Sequence, residues 1–214
     1  MRGLIFINKE KGVSLVEIIV VIMIASVFLV IVISDFPKIM RQYALSRVTY
    51  KLAQDLRKTQ DFGLSGFQLY DGGVPPQAIL AKGYGIYFDI NTDSTKYLIY
   101  ADVANADGVP SEKFDGDFST QLCSQVTQTP DQLHSDCVIE VVDIKNENAS
   151  LSFQIINNLT DGFNSTSINF APPNPKITID NLDSSKVGVE IVLTNTDGAT
   201  RTVYTNKAGL INVQ

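Results

Sequence analysis

The stretch Lys11-Gly12-Val13-Ser14-Leu15-Val16-Glu17 runs straight into an apolar segment that reaches Ile33. From Val13 to Ile33 the only polar residues are Ser14, Glu17 and Ser26. At ~1.5 Å rise per residue this run makes a helix of about 30 Å, the thickness of a bilayer's hydrocarbon core. Such a run must lie in lipid or be covered by partners, and the simplest reading is a signal anchor. Two features argue against that reading. Glu17 sits inside the run, where an ionised carboxylate costs roughly 2.5 kcal/mol or more and normally serves a function. The run is also preceded by a short basic leader ending in Gly12, and no small-x-small cleavage site follows its apolar core.

Gly12-Val13-Ser14-Leu15-Val16-Glu17 resembles the class III signal of bacterial type IV pilins and type II secretion pseudopilins. In that family a membrane peptidase cuts after the glycine on the cytoplasmic face and N-methylates the new first residue. A glutamate five residues after the glycine then serves in assembly. The resemblance implies a cut between Gly12 and Val13, methylation of the Val13 amine, and an assembly role for Glu17. It departs from the family in one place, since phenylalanine is usual where this chain has Val13.

The depth of Glu17 gives that role a physical reason. A carboxylate in lipid is tolerated when a partner charge reaches it. The amine freed at Val13 is such a charge, about one helical turn away in its own chain and within reach of Glu17 in a stacked neighbour. The alternative is that Glu17 sits at headgroup depth and contacts water.

Removing leader and span from the 214 residues leaves about 180, enough for one sizeable core. The formal charge of −6 opposes binding to phosphate backbones, which needs clustered Lys and Arg. Arg2, Lys9 and Lys11 precede the span, but Lys38 and Arg41 follow it, so charge orients the chain only weakly. The pilin-like leader implies a cytoplasmic N-terminus and a body on the far side of the inner membrane.

The pattern predicts four segments: a leader over 1–12, a membrane and assembly helix over 13–34, an amphipathic docking helix over 35–66, and an antiparallel β domain over 67–214. Asp35-Phe36-Pro37 should bend or interrupt the helix, because proline removes a donor and clashes with the preceding turn. Ile39, Tyr43, Leu45, Val48, Leu52, Leu56 and Thr59 then recur at three- and four-residue steps as a core stripe. Arg41, Arg47, Lys51, Asp55 and Lys58 occupy the other side, and Gly63 and Gly66 should end the helix. Residues 66–82, with Gly72-Gly73 and Pro75-Pro76, read as a loop.

Short strands follow. Tyr84–Asp89 and Lys96–Ala101 should pair as a hairpin, and Val138–Val142 with Leu151–Ile156 as a second pair. Ser167–Phe170, Ile177–Ile179, Val187–Thr194, Thr200–Thr205 and Leu210–Val213 complete the set, with turns at Asp197-Gly198 and Ala208-Gly209. The expected class is α+β, a long N-terminal helix on an antiparallel sheet. Gly83-Tyr84-Gly85-Ile86-Tyr87-Phe88, Ile168-Asn169-Phe170 and the closing Arg201-Thr202-Val203-Tyr204 with Gly209-Leu210-Ile211 are similar to the GspH/FimT group of minor pilins and pseudopilins.

Cys123 and Cys137 fall in a polar loop of a region expected outside the cytoplasm, where oxidising conditions favour a disulfide. Two free thiols are the alternative. Asp102, Asn105, Asp107, Asp115 and Asp117 flank an acidic, glycine-containing loop. Gathered oxygens of this kind suit Ca²⁺, but neither this spacing nor Asp89-Ile90-Asn91-Thr92-Asp93 matches an EF-hand loop, and a solvated acidic loop is the better reading. Nothing supports catalysis. His134 is the only histidine, Gly63-Leu64-Ser65-Gly66 lacks nucleophile-elbow spacing, and no phosphate-binding loop or zinc cluster occurs. The sequons at Asn148, Asn158 and Asn164 arise easily in a chain rich in Asn, Ser and Thr.

The expected function is that of a minor pilin or pseudopilin, a non-enzymatic structural subunit held in the inner membrane. Its expected partners are prepilin peptidase and sibling subunits, without nucleic acid. A pilus-tip module that captures DNA or a surface ligand is one rival. A membrane-anchored β domain that never assembles is the other.

Overall fold

The computed structural model describes residues 12–104, 109–125, 136–172 and 176–214. One helix, α1 (Leu15–Ser65), is followed by eleven strands among the described residues. The chain divides into two compact units, residues 1–40 and 41–214. The α+β class and the antiparallel pairing of the strand ladders are as the sequence predicts.

In the first unit the large apolar side chains from Val13 to Ile33 are all exposed, none below 48 %. Pro37 lies inside α1, so of the bend or interruption expected there the interruption does not occur. The proline removes one backbone donor, and the turns on either side keep their own bonds.

In the second unit α1 buries Leu45, Val48, Thr49, Leu52, Ala53, Leu56, Thr59 and Gly63, an i, i+3, i+4 stripe. The stripe starts later than predicted, since Ile39 and Tyr43 remain 60 % and 66 % exposed. Charged residues assigned to the solvent side are engaged instead, Arg47 with Glu147 and Lys58 with Glu140 among them. Arg41 makes a bidentate pair with Asp197, at 2.6 and 2.8 Å, and Asp55 accepts from the Tyr97 hydroxyl at 2.5 Å. Gly63 does not end the helix. It lets the helix come close to the sheet, for a Cβ there would lie 2.5 Å from the Phe170 carbonyl oxygen. The stop is Gly66, whose φ of +60° takes the left-handed conformation that closes helices.

The segment read as a loop holds a two-stranded ribbon, β1 (Leu69–Tyr70) with β2 (Ala78–Ile79). Asp71 secures it by accepting from the backbone of Gly73 and Gln77. β3 (Ala81–Asp89) and β4 (Lys96–Val103) form the predicted hairpin. The second predicted hairpin does not exist. β5 (Cys137–Asp143) pairs with β4, whereas β6 (Leu151–Asn157) belongs to the other sheet, where it pairs with β9 (Gly188–Asn195). The reason lies in the link: Asp143 caps a 3-10 turn at Ile144–Asn146, and Ile144 and Leu151 are both buried in the core. The chain therefore crosses the core instead of folding back on itself.

β7 (Ser165–Ala171) and β8 (Lys176–Ile179) complete a five-stranded sheet ordered β5-β4-β3-β7-β8. β10 (Thr200–Asn206) and β11 (Ile211–Val213) complete a four-stranded sheet ordered β11-β10-β9-β6, joined at the two predicted turns. One core cluster contains Leu52 and Leu56 of α1, Phe88, Ile99 and Phe170 of the five-stranded sheet, and Phe153, Ile191 and Val203 of the four-stranded one. The opposite face of the five-stranded sheet is covered by the described part of the β4–β5 connection, where Phe114 packs on Tyr87 and Tyr100.

Candidate processing and assembly segment

The segment begins in non-helical chain at Gly12, Val13 and Ser14, all exposed. The first helical bond runs from Ile18 N–H to the Ser14 carbonyl at 3.2 Å. Ser14 and Glu17 thus occupy the N-cap and third positions of α1, the spacing of a capping box. Glu17 is the acidic residue of the first turn, where the helix dipole favours negative charge. It is also the only charged side chain between Val13 and Ile33. The other polar residue within the helical run is satisfied locally, since Ser26 Oγ donates to the Met23 carbonyl at 2.8 Å. The helix is long and apolar enough to cross a membrane, and its most apolar window buries none of its residues.

Residues 7–33 match the prokaryotic N-terminal methylation motif. The chain has a prepilin-type N-terminus. Its apolar helix and this motif together fit a membrane-anchored, pilin-like precursor. The motif belongs to structural pilins and is not that of an enzyme family. No curated protein and no solved structure matches the chain.

The match covers Gly12, Val13 and Glu17. The other residues singled out lie in the second unit or outside the described chain. Cys123 and Cys137 are bonded to each other, with Cα atoms 4.9 Å apart. The bridge ties the β4–β5 connection to the start of β5, and both sulfurs are buried beside Ile79, Tyr84 and Val103. Asn105, Asp107 and His134 lie outside the described residues. Asp115 and Asp117 are exposed, and Asp117 holds its own turn by accepting from Ser119 N at 2.7 Å.

Asp102 departs most from the reading of a solvated acidic loop: it is fully buried. Its Oδ2 accepts from Asn169 Nδ2 at 2.6 Å and from Glu112 N at 3.1 Å. Burial raises its pKa, against the lowering effect of these donors. Among the described residues no group of three His, Cys, Asp or Glu side chains is placed to hold a metal ion.

Sequence reasoning missed Asp136. It is 5 % exposed and accepts from Val103 N at 3.0 Å and from Asp115 N at 2.8 Å, fastening both ends of the β4–β5 connection. Burial pushes it up to about 7 despite those two donors. No local signal marks it, because its role depends on which strands become neighbours. The sequon asparagines serve as turn and strand-end bonds: Asn148 accepts from Ser150 N, Asn158 donates to the Gly188 carbonyl, and Asn164 donates to Asn91.

Proposed function

We propose that this chain is a structural subunit of a type IV pilus or a type II secretion pseudopilus, a minor pilin or pseudopilin of the GspH/FimT kind. Prepilin peptidase cuts it between Gly12 and Val13 and methylates the Val13 amine. The N-terminus faces the cytoplasm and the β domain lies beyond the inner membrane, in keeping with the Cys123–Cys137 bridge, which an oxidising compartment favours. Assembly proceeds through the exposed apolar helix, with Glu17 meeting the Val13 amine of a neighbouring subunit.

The observation that carries this reading is the methylation motif over 7–33, ending in the apolar run Val13–Ile33, whose large side chains are unburied and whose single charge is Glu17. Neutralising two desolvated charges at once gives the helices a specific register in lipid, where apolar contact alone discriminates little. Mass spectrometry of the mature protein tests it. The expected N-terminus is N-methylated Val13, and replacing Gly12 by a bulky residue should leave the leader attached. A wild-type chain that keeps its leader in its native host, or is cut beyond Ile33, contradicts the reading.

A further inference from the structure

Besides the Tyr100 hydroxyl, two buried oxygens on the outer face of the five-stranded sheet have no hydrogen-bond partner. They are Asp102 Oδ1 and Asn169 Oδ1, on side chains 0 % and 1 % exposed. The two side chains already meet, because Asn169 Nδ2 donates to Asp102 Oδ2 at 2.6 Å. Gly83 makes room for them, as a Cβ there would collide with Asn169 Oδ1. Leaving two adjacent acceptors buried and unpaired is expensive, and a single hydrogen between them satisfies both.

We propose that Asp102 is held as the neutral acid, its Oδ1–H donating to Asn169 Oδ1 while Asn169 Nδ2 donates to Asp102 Oδ2. One proton taken from water closes this two-bond acid–amide pair. The pair latches the β4–β5 connection, through Glu112 N on Asp102 Oδ2, over the outer face of the sheet.

The surroundings favour the proton. Facing the pair are Tyr100 on β4, Ser167 on β7, Glu112 and Asp115 on the connection, and Asp136 just before β5, with Asp180 acting on Tyr100 from beyond β8. Of the cations near this group, Lys176 of β8 is engaged by Glu112 at 2.6 and 2.7 Å, and Lys113 lies 3.9 Å from Asp115. Both oxygens of Asp136 accept backbone N–H groups, which favours its ionised form against the burial that pushes it up to about 7. Loss of the Asp102 proton at higher pH leaves two buried carboxylates close together and loosens the connection. A folded pKa above the unfolded value of ~3.9 gives stability that is complete below the unfolded pKa and is lost as pH rises through the folded one.

The test is infrared spectroscopy of the full-length protein in detergent micelles at neutral pH. The carbonyl band of a buried neutral carboxylic acid should be present in wild type and in Asp136→Asn, and should fall in Asp102→Asn to what Asp136, itself pushed up to about 7, retains. Asp102→Asn replaces the acid–amide pair with an amide–amide pair making the same two bonds. It should therefore fold, melt at or above wild type, and gain on wild type as pH is raised above the unfolded carboxylate pKa of ~3.9. A band that survives in Asp102→Asn but disappears in Asp136→Asn places the proton on Asp136 and overturns the proposal. So does the absence of any acid band in wild type, or an Asp102→Asn chain that does not fold. A wild-type melting point raised by added Ca²⁺ and lowered by a chelator, with neither effect in Asp102→Asn, assigns the two oxygens to a cation and also overturns it.

Discussion

At the scale of single residues, position relative to lipid and to the core decides what each carboxylate does. Asp102 and Asp136 are buried and accept donors of their own unit, whereas Glu17 is the single charge of the apolar run Val13–Ile33 in the first unit. If it pairs with the Val13 amine of a neighbour, Glu17→Ala leaves an unpaired charge in a low-dielectric contact, a loss of ~3–5 kcal/mol. The second unit does not contain residue 17, so its melting should be unchanged. Membrane insertion should be equal or better, because an apolar residue replaces an acid. The defect should therefore appear at assembly alone, as normal expression and cleavage with reduced recovery in purified filaments. Recovery at the wild-type level would contradict the pairing. A subunit at the filament tip has none ahead of it, so a defect would also report position.

At the scale of elements, the β4–β5 connection illustrates how a polar segment is held without a strand of its own. Phe114 fills the space over Tyr87 and Tyr100, Asp102 and Asp136 accept backbone donors, Lys176 reaches Glu112, and the Cys123–Cys137 bridge closes the end. The bridge spans a sequence separation of 14, and closing a loop of that size contributes about 3 kcal/mol in the chain-entropy account. Replacing both cysteines by serine should lower the unfolding free energy by about that amount in a denaturant titration. A double variant as stable as wild type would mean that the other anchors suffice. Proline 37 makes the converse point for α1: a strong local breaker lost to the helical bonds on both sides of it.

At the scale of the molecule, α1 comes into close contact with β7 of the second unit at Gly63. Alanine is the better helix former by about 1 kcal/mol, so propensity alone predicts that Gly63→Ala stabilises. The close approach to the Phe170 carbonyl argues the opposite, because a methyl group 2.5 Å from a backbone oxygen forces helix and strand apart. Overpacking of this kind costs roughly 1–3 kcal/mol, and rigid backbone on both sides puts the cost toward the upper end. The net expectation is a loss of about 1–2 kcal/mol, read as a melting point lowered by several degrees. A melting point that rises would show that helix and strand separate easily.

Sequence by itself determined what depends on neighbours along the chain. The apolar run with Gly12 and Glu17, the helical stripe from Leu45 to Thr59, the β3–β4 hairpin and the turns at Asp197-Gly198 and Ala208-Gly209 are all local in this sense. Each follows from periodicity, a run length or a turn residue. What only the tertiary structure decided are the contacts between distant segments. Val138–Val142 and Leu151–Ile156 look like hairpin partners by spacing, but Ile144 and Leu151 enter the shared core and send the two strands to different sheets. Gly63 reads as a helix stop until Phe170 is seen against it. Asp102 reads as a solvated loop residue until Asn169, 67 positions away, closes over it. Burial of a polar group is set by what packs on it from elsewhere in the chain, and local pattern carries no record of that.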